Sequence, residues 1–346
     1  MSKKAEIHEE MNLSIACEAC QPDKTNDDNS DDASPKIVTP ADVTKIDEDM
    51  EELFIIGTAG LKVTVIDGID HLKHLKRLVL RSNLIHKIKN IDNLTELELL
   101  ELYDNKLRAI KHIEHCTKLQ TLDLSYNKIS EIPPMPYLQN LKKLYLASNR
   151  ISDMSPLSSL PNLELLDLGY NNIRIITGIS HMKHLKELYL GKNKIETISG
   201  LEGLSLTKLD LQSNRLSRVD NLGGMDSLEE LYLSYNGIED MSGINTLTHL
   251  NTLDLMHNKI QIVTDITQLK ELDFLWLSQN EIQSIDQIQY LIQLSHNTKS
   301  LTTLYLDHNP LSHIPFFRRD IIPQLPSLQY LDISLYIYIL IILYIY

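Results

Sequence analysis

Apolar and polar positions along this chain follow one repeating pattern: LKKLYLASNRI at residues 141–151 reads LxxLxLxxNxI, and copies of it recur from Leu75 to Leu311. Within this copy Leu144 and Leu146 bracket Tyr145, the period-2 alternation of a short strand with leucines inward and tyrosine outward. Between strands the apolar spacing changes to i, i+3, i+6, as in Ile179, Met182, Leu185 or Ile244, Leu247, Leu250. That spacing predicts a tight 3-10 or short helical turn. The Asn closing each copy sits where the chain bends, and its amide can satisfy backbone groups that the bend would leave buried and unpaired. These residues are Asn83, Asn105, Asn127, Asn149, Asn171, Asn193, Asn214, Asn236, Asn258, Asn280 and Asn309, spaced by eight intervals of 22, one of 21 and a last one of 29.

A fixed period of about 20–29 residues with this consensus is the signature of a leucine-rich repeat solenoid. The expected fold class is α/β: a right-handed arc with a parallel sheet on the concave face and short helical or 3-10 segments on the convex face. About eleven strands at about 4.8 Å give a sheet near 50 Å long. Residues 51–74 read as a degenerate N-terminal capping repeat without the Asn, 75–314 as the repeats, and 315–332 as the C-terminal cap. In that cap the FFRR segment forms a longer helix, and Leu328, Leu331 and Ile333 a last strand. The seven extra residues between Asn280 and Asn309 lengthen the convex segment or form a loop there.

Charge separates the start of the chain from the rest. Of a net charge of −14, residues 1–50 carry −8, from 13 Asp/Glu against 5 Lys, without an aromatic residue. This composition predicts a disordered acidic tail. The acidic balance argues against a nucleic-acid partner, which needs clustered Lys and Arg. No stretch near the start has the apolar core of a signal peptide, and three cysteines do not make a paired framework, so the chain reads as intracellular. Cys17 and Cys20 form a lone CxxC, and Cys116 falls at an inward convex position. The final stretch, residues 333–346, is an apolar tail too short for an ordinary membrane span; an unusual chain end, an extra edge strand and a membrane tail all stay open.

Candidate chemistry is sparse. No phosphate-binding GxxxxGK[ST], GxSxG elbow, HExxH or kinase loop set occurs, so no enzyme, cofactor or metal is expected. The pairs His71/His74, His112/His115 and His181/His184 fall on convex stretches and read as a solvated outer face, since each lacks a third ligand. The informative set is the outward residue between the two central leucines: Val79, Glu101, Asp123, Tyr145, Asp167, Tyr189, Asp210, Tyr232, Asp254, Trp276, Tyr305 and Asp332. From Asp123 to Trp276 acid and aromatic alternate, which keeps like charges about two strand spacings apart. Such alternation relieves repulsion on any sheet face. Together with Tyr126, Tyr170 and Tyr235 nearby, the pattern also suits a protein-binding surface, with rings as anchors and acids orienting a basic, convex partner.

The blocks LYLGKNKI, LDLQSNRL and LYLSYNGIE, the LYLDHNPL followed by a paired arginine, and the cap LPSLQYLD resemble the nuclear leucine-rich repeat regulators of protein phosphatase 1, the regulatory subunit 7 family, over about residues 53–332. The resemblance implies a non-catalytic subunit, in nucleus and cytoplasm, that binds the catalytic subunit of protein phosphatase 1 through the concave face, with other phosphatase regulators joining in a ternary complex. It places the contact on Asp123, Tyr145, Asp167, Tyr189, Asp254, Trp276 and Tyr305. The family has Phe where this chain has Tyr145 and Tyr189, and an acid where this chain has Phe274. No RVxF-type docking peptide occurs, because Lys62-Val63-Thr64-Val65 lacks the aromatic, so binding would use the folded face. Without the resemblance, the same residues fit another intracellular leucine-rich repeat scaffold, cytoskeletal or splicing-related.

Overall fold

The computed structural model describes residues 36–37, 48–332 and 334–335. Most of the acidic segment 1–50, with Cys17 and Cys20, therefore lies outside the described residues, as do Ile333 and residues 336–346 of the apolar tail.

Each LxxLxL run forms a three-residue strand, because two inward leucines fix its register and the flanking turns leave no room for more. β1 (Lys36–Ile37) pairs in parallel with β3 (Leu61–Lys62), apart from the main sheet. Among the described residues the main sheet has 14 strands and starts at β2 (Glu52–Phe54). There follow β4 (Arg77–Val79), β5 (Leu99–Glu101), β6 (Thr121–Asp123), β7 (Lys143–Tyr145), β8 (Leu165–Asp167), β9 (Glu187–Tyr189), β10 (Lys208–Asp210), β11 (Glu230–Tyr232), β12 (Thr252–Asp254), β13 (Phe274–Trp276), β14 (Thr303–Tyr305) and β15 (Tyr330–Leu331). Neighbours pair in sequence order and in parallel throughout, so that Leu100, Leu122, Leu144 and Leu166 stack as one fully buried column. β16 (Ser334–Leu335) closes the sheet antiparallel to β15.

The Asn column holds the bends. Asn149 is 8% exposed; its Nδ2 donates to the carbonyls of Leu124, Leu146 and Ala147 at 3.0, 3.0 and 3.2 Å, and its Oδ1 accepts from Ile129 N at 2.9 Å. One side chain thus ties its own copy to the one before, and the same set recurs at Asn127, Asn171 and Asn258. The residue preceding every Asn has a positive φ, from Ser82 at 55° to His308 at 57°. None of them is glycine, so each bend carries a backbone strain of about 1 kcal/mol that the amide's hydrogen bonds offset.

The convex side is built mostly from single turns. Leu94 N donates to Ile91 O at 3.0 Å and Leu97 N to Leu94 O at 3.2 Å, the i+3 bonds that the apolar spacing predicts. Some copies lengthen into 3-10 helices, at Ser155–Ser159, Ser242–Ile244 and Pro310–His313. In the 21-residue interval, Leu201, Leu204 and Leu206 shorten the turn by one residue, leaving the Lys208↔Glu187 register intact. The 29-residue interval spends its extra residues on the convex side: a 3-10 turn at Ile285–Ile288, with a capping box between Ser284 and Gln287, leads into α1 (Gln289–Asn297). Leu291, Ile292 and Leu294 of α1 are buried. The C-terminal end is covered by α2 (Phe317–Ile321), shorter than the helix expected, and by the 3-10 turn Ile322–Gln324. Phe317, Ile321, Leu325 and Leu328 close the leucine core there.

One rung of the expected row is wrongly placed by the pattern. Pairing of β14 with β15 ends at Leu304↔Leu331, and Asp332 turns away at φ 51°. Its Oδ1 accepts from Leu306 N at 2.7 Å and Asp307 N at 2.9 Å, and its Oδ2 lies 3.2 Å from Arg318 Nη2. Asp332 is buried and its side chain takes up the Leu306 and Asp307 amides at the end of β14.

Candidate functional site

The outward residues of the sheet stand in columns because every strand pair is in register. The middle column runs Val79↔Glu101↔Asp123↔Tyr145↔Asp167↔Tyr189↔Asp210↔Tyr232↔Asp254↔Trp276↔Tyr305, one residue per strand. All seven predicted contact residues, Asp123, Tyr145, Asp167, Tyr189, Asp254, Trp276 and Tyr305, therefore share one line on one face.

The acids in this line are less accessible than outward positions suggest. Each Asp turns a carboxylate oxygen back onto the amide two residues on: Asp123 onto Ser125 N at 2.9 Å, Asp167 onto Gly169 N at 2.9 Å, Asp210 onto Gln212 N at 2.9 Å, and Asp254 onto Met256 N at 3.0 Å. This caps the strand end, where the amide has no ladder partner. At Asp254 the two flanking rings close in over the acid between them. Tyr232 and Trp276 are two strands apart, about 9–10 Å along the sheet, yet their ring centroids are 6.3 Å apart, above Asp254. Asp254 is left 7% exposed. Burial pushes the Asp254 and Asp167 carboxyls up from 3.8 to about 6, and moves Asp123, Asp210 and Glu101 in the same direction.

The rings form a graded surface. Trp276 meets Tyr305 edge to face at 6.3 Å and Tyr232 on its other side, so three aromatics line the C-terminal part of the column. In the neighbouring outward column Phe274, half-buried, stands between the buried Thr252 and Thr303, on the same face as Trp276. In the middle of the sheet the same column is charged. Lys208 lies 3.0 Å from Glu230 and over the rings of Tyr189 and Tyr232 at 5.7 and 5.3 Å, and the hydroxyls of those tyrosines donate to Glu187 and Glu230 at 2.7 and 2.8 Å. At the N-terminal end Arg81 pairs with Glu101 at 2.8 Å and stacks on Tyr103 at 4.6 Å. Glu187, Lys208 and Glu230 did not stand out in the sequence, and Phe274 did so only as a departure from the resembled family; their signal is the second outward position of each LxxLxL run, two residues before the column.

The other candidates stand apart from this face. The His pairs lie in the turns, and among the described residues no group of three metal-capable side chains occurs. Cys116 is fully buried, and burial pushes its thiol up to about 12. Tyr126, Tyr170 and Tyr235 are exposed at the bend, beyond the strand ends.

Residues 95–203 match, in the overlapping windows 95–137, 117–159, 139–181 and 161–203, the family described as leucine-rich repeats in two copies, and residues 201–335 match the leucine-rich repeat family. The chain belongs to the leucine-rich repeat proteins. Among solved structures this leucine-rich repeat chain is similar to an internalin of Listeria monocytogenes, with a TM-score of 0.65 and 27% identity over 86% of this chain and 89% of that one. It is similar also to a leucine-rich repeat protein of Leptospira interrogans, at TM-score 0.64 and 26% identity over 78% and 76% of the two chains. A third is the plant peptide hormone receptor RGFR1 in complex with RGF2, at TM-score 0.63 and 25% identity over 86% of this chain and 58% of that one. No curated protein matches the chain. Neither matched family is a catalytic one, and the solenoid is a protein-interaction scaffold.

Proposed function

We propose that this leucine-rich repeat scaffold is a non-catalytic regulatory subunit that binds the catalytic subunit of protein phosphatase 1, a Ser/Thr phosphatase, through the outward face of its sheet. The observation that carries the reading is the aromatic surface of Tyr232, Phe274, Trp276 and Tyr305 beside an acid-bearing column. Clustered rings of this kind anchor protein interfaces, and the carboxylates around them favour a basic partner surface. The resemblance of the sequence blocks to the regulatory subunit 7 family supports this choice of partner, and with it the expectation of nucleus and cytoplasm and of further phosphatase regulators in the same complex.

The geometry redistributes the work among the proposed residues. Tyr145, Tyr189, Trp276 and Tyr305 supply the contacts, while Asp123, Asp167 and Asp254 hold the strand ends and colour the electrostatic field from beneath the rings. Phe274 makes the C-terminal part of the surface apolar, so the partner meets it there with an apolar group and meets the Glu187–Lys208–Glu230 cluster with polar ones. The test is capture of the phosphatase catalytic subunit from lysate by the immobilised chain, read by immunodetection. Its retention supports the reading. Its absence, with cytoskeletal or splicing components retained instead, replaces it with the other scaffold reading.

A further inference from the structure

We infer that the bend carrying the Asn column is a second interaction surface, suited to an acidic peptide segment of a partner protein. Each Asn points inward, so its two neighbours flank it on the outside: around buried Asn127, Tyr126 is exposed and Lys128 half-buried. Over the eight copies closed by Asn105 to Asn258, the residue after the Asn is Lys106, Lys128, Arg150, Lys194, Arg215 or Lys259 in six, and an acid in none. On the same strands the middle outward column holds five acids and no cation. The sign of the surface therefore reverses across a single bend, in a chain whose net charge is −14.

Backbone geometry makes the cations a row. Lys128 N donates to Leu107 O and Arg150 N to Ile129 O, both at 2.8 Å, as Lys106 N does to Ile85 O at 2.9 Å. Successive side chains therefore start about one strand spacing apart, about 4.8 Å. Further along, the row is partly neutralised from within: Arg215 lies 3.8 Å from Glu196, Lys259 3.9 Å from Glu239, and Lys194 donates to Asn172 at 2.6 Å. Lys106, Lys128 and Arg150, on three successive rungs, have no ion pair among the described residues. The acid column separates its like charges with rings; this trio does not, and at the bend only Asp104, two residues before Lys106, offsets it from within, so an outside anion relieves the remaining repulsion along Lys128 and Arg150. Tyr126, 42% exposed, adds a ring face beside it.

The width of the strip selects the occupant. The acid column lies one bend away, within the reach of its field, and repels a broad, densely charged polyphosphate more than a slim extended peptide with a few carboxylates. The row does not overlap the outward columns of the sheet, so this inference goes beyond the phosphatase reading and does not depend on it.

The test is fluorescence anisotropy of the full chain with three labelled probes: a short peptide of alternating Glu and Ala, its Gln-for-Glu counterpart, and an oligouridylate of equal length. The Glu peptide is expected to bind best, with an affinity that falls as salt rises. The double change Lys128→Glu and Arg150→Glu is expected to weaken it at least about tenfold without moving the thermal midpoint. Should that variant not fold, Lys128→Gln with Arg150→Gln serves the same comparison. Trp276→Ala is expected to leave peptide binding unchanged. The inference is overturned by no binding of the Glu peptide, by equal binding of the Gln peptide, by an unaffected affinity in the folded double variant, or by tighter binding of the oligouridylate.

Discussion

Replacing Asp254 with Asn removes a charge that the rings of Tyr232 and Trp276 hold out of water, while keeping an oxygen that accepts from Met256 N. The carboxyl rises from 3.8 to about 6 in the folded chain, and each tenfold change in proton affinity is worth about 1.4 kcal/mol, so ionising Asp254 costs the fold about 3 kcal/mol. The sign follows from proton counting. Between about pH 4 and pH 6 the folded chain binds more protons than the unfolded one, so this residue's contribution makes stability fall as pH rises through that window. Above it the full penalty is present. Asp254→Asn should therefore raise stability at pH 7.5 by about 2–3 kcal/mol and flatten the loss between pH 4 and 6, while near pH 4 the two proteins should be about equal. Urea unfolding followed by far-ultraviolet circular dichroism at a series of pH values measures both. An Asn variant that is less stable at pH 7.5, or that keeps the parent's pH slope, would refute the claim that the rings desolvate the carboxylate.

Other expectations follow from the same contacts. Asn149→Ala deletes three donated bonds and one accepted bond, and should cost about 1–3 kcal/mol in denaturant unfolding because buried carbonyls of two copies lose their donor. The Cys116 thiol, fully buried and pushed up to about 12, should be inert to a thiol-reactive dye in the native chain and react at once in denaturant. Removing residues 310–332 uncovers the core behind Phe317, Ile321 and Leu325, and should lead to aggregation visible in light scattering.

The Asn spacing and the leucine periodicity carried the fold, because a repeat that buries its face only against its neighbours writes every inward position into the sequence. Leu144, Leu146 and Asn149 could be placed from the pattern alone. The alignment of Asp123 through Tyr305 on one face was legible for the same reason. What happens above the backbone was not. Asp254 and Trp276 look like independent exposed rungs in sequence, and only the lean of the rings reveals that one covers the other. The capping role of the four Asp residues had a signal, since each stands in an LDLxxN block, but alternation with rings offered a competing explanation of their spacing. Asp332 continued the pattern in sequence and left it in space because its φ of 51° turns the side chain onto the Leu306 and Asp307 amides and Arg318. The positive φ before each Asn, at Tyr126 as at Ser148, had no signal, since no glycine marks it.

Phosphatase binding by the Trp276→Ala variant decides whether the aromatic face is the docking surface. Isothermal titration of the purified phosphatase 1 catalytic subunit into the parent chain and the variant, with thermal midpoints measured alongside, separates contact from packing. The variant is expected to bind weaker by at least about 2 kcal/mol, as central aromatic anchors do, with its midpoint barely changed. Undiminished binding by the variant, or no binding by the parent, would contradict it.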